Sequence, residues 1–123
     1  MFFSFASIAY ADVDSSEVVG IYSFARTYTV EDVTSTSQTI VTDNNWFNET
    51  SISCTWKSTS GPMSIRVIRD IKYNGEWCYY SYGDLTAVTH TANFTINGGE
   101  PFRLRVLKLS GNDGDCTFVV TLV

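Results

Sequence analysis

Alternation of apolar and polar residues with a period of two runs through almost the whole chain and constrains the fold more than any other feature. Between Thr50 and Trp56, for example, Ile52, Cys54 and Trp56 occupy one phase while Ser and Thr occupy the other. No window of the sequence carries a sustained apolar stripe at helical spacing. Because period-two alternation is typical of half-buried strands, the sequence predicts an all-β fold.

The alternating segments are short and follow one another at regular intervals. Strands are predicted over 18–30 (one long or two short), 36–42, 50–56, 63–73, 76–82, 87–96, 102–106 and 116–122. The polar segment 36–42 indicates an edge strand. A break in phase at Ile68 and Ile71 predicts a bulge or a bend in the strand that contains them.

One turn is specified by its own residues. Asn74-Gly75 lies between two alternating segments, and both residues tolerate positive φ, so a type I′ hairpin is predicted there. About eight strands with no room for parallel crossovers predict a single antiparallel β-sandwich, either jelly-roll or Ig-like.

Size and charge narrow the class of protein. The 123 residues suffice for one domain, and the formal net charge of −5 argues against a nucleic-acid partner or an anionic membrane surface. The charge is uneven, since residues 12–49 hold seven acids and one Arg. The basic residues predicted on the outward phases of two later strands are Arg66, Arg69, Lys72, Arg103, Arg105 and Lys108.

The first eleven residues resemble the second half of a secretory signal peptide. An apolar run ends in the small-x-small triplet Ala9-Tyr10-Ala11, although no Lys or Arg precedes Arg26 as a basic start would require. The sequence predicts a truncated signal peptide at 1–11 and a secreted, extracellular domain at 12–123, with a buried first strand as the alternative for 1–11. Eleven residues are too few to span a membrane, so no membrane insertion is expected.

Three cysteines, Cys54, Cys78 and Cys116, stand far apart with no C-x-x-C pair. In an oxidising compartment two of them could form one disulfide, in any of three pairings. The remaining thiol would be buried or would bridge to a second chain and give an oligomer.

Little in the sequence indicates catalysis or a cofactor. His90 is the single imidazole and lies in the apolar phase of its predicted strand, and no nucleophile motif accompanies it, so no enzyme is expected.

Asn112, Asp113 and Asp115 group oxygen ligands within one turn, which makes calcium a candidate there; an ordinary hairpin turn without metal is the alternative. No other cofactor is expected.

Aromatic residues are the strongest candidates for binding. In the block 77–82, alternation predicts Trp77 and Tyr79 on one face and Tyr80 and Tyr82 on the other, with one pair exposed. A second group lies in an Asn-rich turn. Exposed rings stack on sugars or anchor protein partners, although rings also cover the ends of sandwiches. The candidate binding residues are Trp46, Phe47, Trp77, Tyr79, Tyr80 and Tyr82.

Two segments resemble a known group of modules. The closing segment 93–123, NFTINGGEPFRLRVLKLSGNDGDCTFVVTLV, and the segment 63–77, MSIRVIRDIKYNGEW, are similar to hairpins of bacterial pre-peptidase C-terminal-type and carbohydrate-binding-like secreted β-sandwiches. The resemblance implies a bacterial, extracellular and non-catalytic ancillary domain.

These observations together predict a secreted, non-catalytic binding module that meets a carbohydrate or a protein surface through exposed aromatics. A structural or self-assembling exported subunit is the first alternative, indicated by the odd cysteine and the opposed charges. A small enzyme or inhibitor is the second alternative.

Overall fold

Eight strands form two four-stranded antiparallel sheets in the computed structural model, which describes residues 24–123. Sheet A has the order β1-β8-β3-β6, and sheet B has the order β2-β7-β4-β5. The strands are β1 (Phe24–Val33), β2 (Gln38–Asp43), β3 (Ser51–Thr59), β4 (Met63–Tyr73), β5 (Glu76–Leu85), β6 (Thr91–Thr95), β7 (Phe102–Gly111) and β8 (Gly114–Leu122). The prediction of one antiparallel β-sandwich is confirmed.

The order of pairing identifies which sandwich this is. The first strand pairs with the eighth, the second with the seventh, the third with the sixth and the fourth with the fifth. This nested pairing is what results when one long hairpin rolls up into two sheets, and it defines a jelly roll. Of the two predicted alternatives, the structure therefore has the jelly roll and not the Ig-like arrangement.

The core lies between the inner faces of the two sheets. In β3 the predicted inward residues Ile52, Cys54 and Trp56 are all buried, as the alternation requires. Phe118 from β8 and Phe102 from β7 are the largest fully buried side chains. The other inward residues with no measurable exposure are Val33, Ile65, Val67, Leu85, Leu104, Val106 and Cys116.

The hairpin between β4 and β5 forms where the sequence predicts it. Asn74 has φ 52° and Gly75 has φ 80°, so both central residues occupy the left-handed region that a type I′ turn needs. The strand predicted as an edge, β2, is indeed an edge of sheet B.

The bulge lies on a different strand from the one predicted. β4 keeps its alternation, with Ile71 in phase with the inward Ile65 and Val67, while Ile68 faces outward. The extra residue is Tyr80 of β5, because Arg69 pairs with Ser81 and the next residue, Asp70, pairs with Tyr79. Ile68 is 6% exposed yet lies outside the inner core cluster, so neighbouring outward side chains must cover it.

The disulfide expected from the sequence is not formed, and the three cysteines are free. Cys54 lies opposite Val120 in the β3–β8 register, four positions from Cys116, which places the two thiols roughly 13 Å apart along the sheet. A disulfide needs its Cα atoms within about 7 Å. Cys78 is exposed on β5 in the other sheet and cannot reach either of them.

The predicted signal peptide at 1–11 and residues 18–23 of the stretch predicted at 18–30 lie outside the described residues. Within residues 24–123, no helix is long and apolar enough to cross a bilayer.

Candidate functional site

The bulge at Tyr80 changes which aromatic residues share a face. Trp77 pairs with Lys72, Tyr79 pairs with Asp70, and Tyr82 pairs with Ile68, all on the outward phase of β4. Trp77, Tyr79 and Tyr82 therefore lie together on the outer face of sheet B. The prediction that Tyr79 and Tyr82 occupy opposite faces is wrong, because one unpaired residue between them reverses the alternation.

Cations from the neighbouring strands stack on these rings. The ring centroids of Tyr79 and Tyr82 are 6.4 Å apart, and the guanidinium carbon of Arg66 lies 3.9 Å from the Tyr82 centroid. Trp77 has Lys72 Nζ at 5.2 Å and the guanidinium carbon of Arg103 at 5.4 Å from its centroid. All four contacts are within the range of cation–π and offset ring interactions. We call this surface the platform; its residues are Trp77, Tyr79, Tyr82, Arg66, Lys72, Arg103 and Arg105.

A buried carboxylate anchors the platform from below. Asp70 is fully buried although it faces outward, and its Oδ2 accepts hydrogen bonds from Arg103 Nε and Arg105 Nε, each at 2.7 Å. A second Arg105 nitrogen donates to Asp70 Oδ1 at 2.8 Å, and these bonds raise the pKa of Arg105. A buried charge is tolerated when several donors surround it, so Asp70 fixes where both guanidinium groups sit.

The platform carries excess positive charge. Arg66 makes a two-point ion pair with Asp84, whose pKa is held below its usual value by the Arg66 hydrogen bond. Asp70 is shared between two arginines, and Lys72 has no acidic partner among residues 24–123. Four cations face two carboxylates on this surface, which leaves a local charge of +2.

Two of the six basic residues predicted to point outward do not belong to the platform. Arg69 is 2% exposed and donates to the Thr95 carbonyl and to Glu100 Oε1 at the end of the sandwich. Its guanidinium carbon lies 4.4 Å from the ring centroid of Tyr80, so Arg69 holds the bulged tyrosine in place. Lys108 pairs with Asp113 in the β7–β8 turn.

The other predicted aromatic pair lies on a separate surface, at a cleft between the edge strands β1 and β2. The cleft has a volume of about 250 Å³, and Trp46 and Phe47 in the β2–β3 loop form part of its wall. These two side chains are 80% and 64% exposed. The remaining lining includes Phe24, Arg26, Tyr28, Asp43, Glu49, Phe102 and Leu122. We call this the β1–β2 cleft.

A buried amide holds the loop that presents these two rings. Asn45 is 1% exposed; its Nδ2 donates to the Glu49 carbonyl at 2.9 Å and to the Asn97 carbonyl at 3.3 Å. Its Oδ1 accepts from the Glu49 main-chain N–H at 2.7 Å. The Asn45 N–H in turn donates to Asp43 Oδ1. Trp46 and Phe47 thus project from a loop whose backbone is tied down on both sides.

Acidic groups meet inside the β1–β2 cleft. Glu49 is only 5% exposed, and burial, assisted by the neighbouring Asp43, raises the pKa of its carboxyl. Burial also raises the pKa of Tyr28, against the effect of Arg26, which donates a hydrogen bond to it. The cleft therefore holds two carboxylates and one guanidinium, a local charge of −1 when both acids are ionised.

The residues of the calcium candidate and the single histidine make contacts within the protein. Asp113 pairs with Lys108, Asp115 Oδ1 accepts from the Asp32 main-chain N–H, and the Asn112 N–H donates to the Pro62 carbonyl. In the part of the chain that the structure describes, no group of three potential ligands could hold a metal ion. The strand predicted at 87–96 starts only at Thr91, so His90 lies exposed in a loop and not in the apolar face; its Nε2 contacts the Ala87 carbonyl.

The sequence pattern did not predict the roles of the most important residues of the two surfaces. Asp70 sits in an outward phase that reads as solvated, and only its tertiary pairing with two arginines of β7 reveals its role. Asn45 and Glu49 stand in a polar turn, where composition alone does not separate a buried amide from an exposed one. The one available signal was the run of arginines in alternate positions at 103 and 105.

The class defined by this architecture is an eight-stranded jelly-roll sandwich with a braced aromatic and basic face and a separate acidic cleft. A crystal structure of Yersinia pseudotuberculosis-derived mitogen (YPM) is similar to this chain, with a TM-score of 0.52 over 80% of this chain and 86% of that chain. The two are 14% identical, so the likeness concerns the fold alone. No family model and no curated protein matches the sequence. The resemblance to pre-peptidase C-terminal-type modules therefore stays a prediction.

Proposed function

We propose that this protein is an exported, non-catalytic binding module that recognises acidic carbohydrate on the platform. The observation that carries the proposal is the Tyr80 bulge, which gathers three rings on one sheet face among four cations. A sugar ring has apolar C–H faces that pack on aromatic side chains, and a uronate or sulfate group accepts paired hydrogen bonds from arginine.

The distribution of charge favours a carbohydrate over the other partner classes. Protein interfaces are rich in Tyr, Trp and Arg, but their centres are depleted of Lys and acidic residues, whereas the platform carries Lys72 and Asp84 among its rings. Nucleic acid binding draws on a strongly positive surface, whereas this chain carries a net charge of −5 and only a local +2. A chain of acidic sugars needs few cations spaced between rings, which is what the platform offers.

The side chains of the platform are held in place by their neighbours before any ligand binds. The rings are fixed by Arg66, Lys72 and Arg103, and two of these guanidinium groups are themselves fixed by carboxylates. Side chains that are already ordered lose little entropy when a partner arrives.

The test compares binding of polygalacturonate with binding of its methyl ester, in which the same sugar chain has lost its charges. In isothermal titration calorimetry the protein should bind the acidic polymer more tightly than the ester, and added salt should weaken binding of the acidic polymer. Tyr79→Ala and Trp77→Ala should each weaken it about tenfold or more, as loss of an aromatic anchor does at interfaces.

Tyr73→Ala is the matched control. Tyr73 is as exposed as the platform tyrosines and lies on the same hairpin, but it is one position out of phase with Lys72 and so belongs to the opposite face. Equal binding of the polymer and its ester, or equal loss in the Tyr73 and Tyr79 variants, would contradict the proposal. Tighter binding of a single-stranded oligonucleotide than of either polymer would replace it with a nucleic-acid function.

A further inference from the structure

The excess positive charge of the platform lies toward one of its two ends. Arg66 and Lys72 mark these ends and are about 20 Å apart along β4, since six residue steps of extended strand separate them. Arg66 is neutralised by Asp84, which accepts from its Nε at 2.7 Å and from a terminal nitrogen at 3.1 Å. Lys72 forms no ion pair with any residue in 24–123. The end of the platform next to the β4–β5 turn is therefore positive, and the opposite end is neutral.

Arg103 adds unused donors at the positive end. Its Nε donates to Asp70 Oδ2, while its two terminal nitrogens donate no hydrogen bond within residues 24–123. Arg105, in contrast, uses Nε and one terminal nitrogen on Asp70 and the other terminal nitrogen on Ser37. The Arg103 side chain is 26% exposed, so a ligand on the sheet surface can approach it.

Lys72 and Arg103 contact the same aromatic ring. Lys72 Nζ is 5.2 Å and the Arg103 guanidinium carbon is 5.4 Å from the Trp77 ring centroid. The ring thus keeps two cations with unused donors close to one point on the surface. A carboxylate or sulfate group at this point can accept charge-assisted hydrogen bonds from both side chains.

The opposite end of the platform suits an uncharged sugar. Tyr79 and Tyr82 are 57% and 49% exposed, with ring centroids 6.4 Å apart, and they offer apolar faces to the C–H groups of a sugar. The partly exposed Asp84 carboxylate can accept hydrogen bonds from sugar hydroxyls. An acidic group placed at this end would instead face Asp84, and like charges repel.

We propose that Lys72, Arg103 and Trp77 form a subsite for one acidic sugar, and that Tyr79, Tyr82 and Asp84 hold a neutral sugar farther along the same chain. This inference rests on the proposed function and names the class of ligand within it. The platform selects a carbohydrate in which acidic and neutral sugars alternate over one in which every sugar is acidic.

The first experiment compares two acidic polymers by isothermal titration calorimetry of the full chain. Hyaluronate alternates glucuronate with an uncharged N-acetylglucosamine, whereas every sugar of polygalacturonate is acidic. Fragments of equal length should differ about two- to fivefold in dissociation constant in favour of hyaluronate, as exposed like-charge contacts are weak. The double variant Arg66→Gln/Asp84→Asn removes the ion pair of the neutral end without changing the net charge, and it should abolish this difference.

The second experiment locates the acidic subsite with Lys72→Gln. This change should reduce the preference for polygalacturonate over its methyl ester by about fivefold or more, because it removes one cation from the subsite. Lys57→Gln is the matched control, since it removes one exposed cation from β3 of the other sheet and should keep the preference of the wild type. The Arg66→Gln/Asp84→Asn variant should also keep this preference.

The subsite and the proposed function fail in different ways. If the acidic polymer binds no better than its ester in the wild type, the proposed function is wrong and the subsite with it. If the wild type prefers the acidic polymer but Lys72→Gln and Lys57→Gln keep that preference equally, only the subsite is overturned. Equal binding of hyaluronate and polygalacturonate fragments by the wild type would likewise overturn the selection of alternating sugars and leave the proposed function in place.

Discussion

Replacing Asn45 with Ala should destabilise the protein strongly, because one buried side chain makes three hydrogen bonds to the main chain. The substitution removes the side-chain partner of the Glu49 N–H and of the Glu49 carbonyl, whereas the Asn97 carbonyl keeps its bond from the Glu100 N–H. Buried groups left unpaired in this way cost about 1–3 kcal/mol each, and partial access of water at the loop reduces the total to about 2–4 kcal/mol.

Backbone conformation adds a second cost. Asn45 has φ 57°, a left-handed conformation that Ala adopts at a penalty of about 1 kcal/mol. Asn48→Ala isolates this cost, since Asn48 has φ 59° in the same loop and an exposed side chain. The expected free energy of unfolding falls by roughly 3–5 kcal/mol in the first variant and by about 1 kcal/mol in the second.

Urea denaturation monitored by tryptophan fluorescence measures both variants, and calorimetry should show a drop in Tm of roughly 12–24 °C for a loss of 3 kcal/mol. The difference between the two variants is the contribution of the side-chain hydrogen bonds. Equal destabilisation by Asn45→Ala and Asn48→Ala would refute the reasoning, because it would mean that solvent replaces all three bonds without loss.

Three further predictions concern the thiols, the packing of the sheets and the response to pH. In the native protein only Cys78 should react with Ellman's reagent, because it is exposed while the other two thiols are buried and have raised pKa values; all three should react in denaturant. Gly83→Ala should cost about 1–3 kcal/mol in thermal unfolding, since its new Cβ would lie 2.9 Å from that of Ala92; Ala92→Gly in the same chain should recover part of the loss. The pKa of Glu49 is higher in the folded protein than its ordinary value. The protonated Glu49 side chain therefore contributes fully to the free energy of unfolding below that ordinary value, and the contribution is lost as the pH rises through the raised pKa. Glu49→Gln should therefore gain stability relative to wild type as the pH rises above the ordinary glutamate pKa of 4.5, and a constant difference in urea midpoints would contradict this.

Alternation alone predicted most of the fold. In β3 each inward residue was identified correctly, because a strand buried on one face shows its periodicity directly in the sequence. The turn at Asn74-Gly75 was also identifiable, since its residues are selected by local backbone conformation.

The candidate sites could be predicted only in part. The aromatic residues were identifiable, but their arrangement depends on the unpaired Tyr80, and a bulge in one strand is defined only against the strand beside it. The prediction of a break in phase at Ile68 was wrong for a related reason: on an outer face covered by long side chains, an apolar residue can be buried without belonging to the core. The cleft required knowing that β1 and β2, which belong to different sheets, lie edge to edge.

The nested pairing of the strands also has consequences for how the chain is made. β8, which follows the other seven described strands in the chain, occupies an interior position in sheet A, where it separates β1 from β3. Among the described strands, β1 therefore has no partner in its sheet until β8 has been synthesised, whereas the β4–β5 hairpin can close as soon as residues 76–85 follow the turn at Asn74 and Gly75. Folding should begin at this hairpin and end with the insertion of β8, so the platform strands are assembled before the edge that forms the β1–β2 cleft.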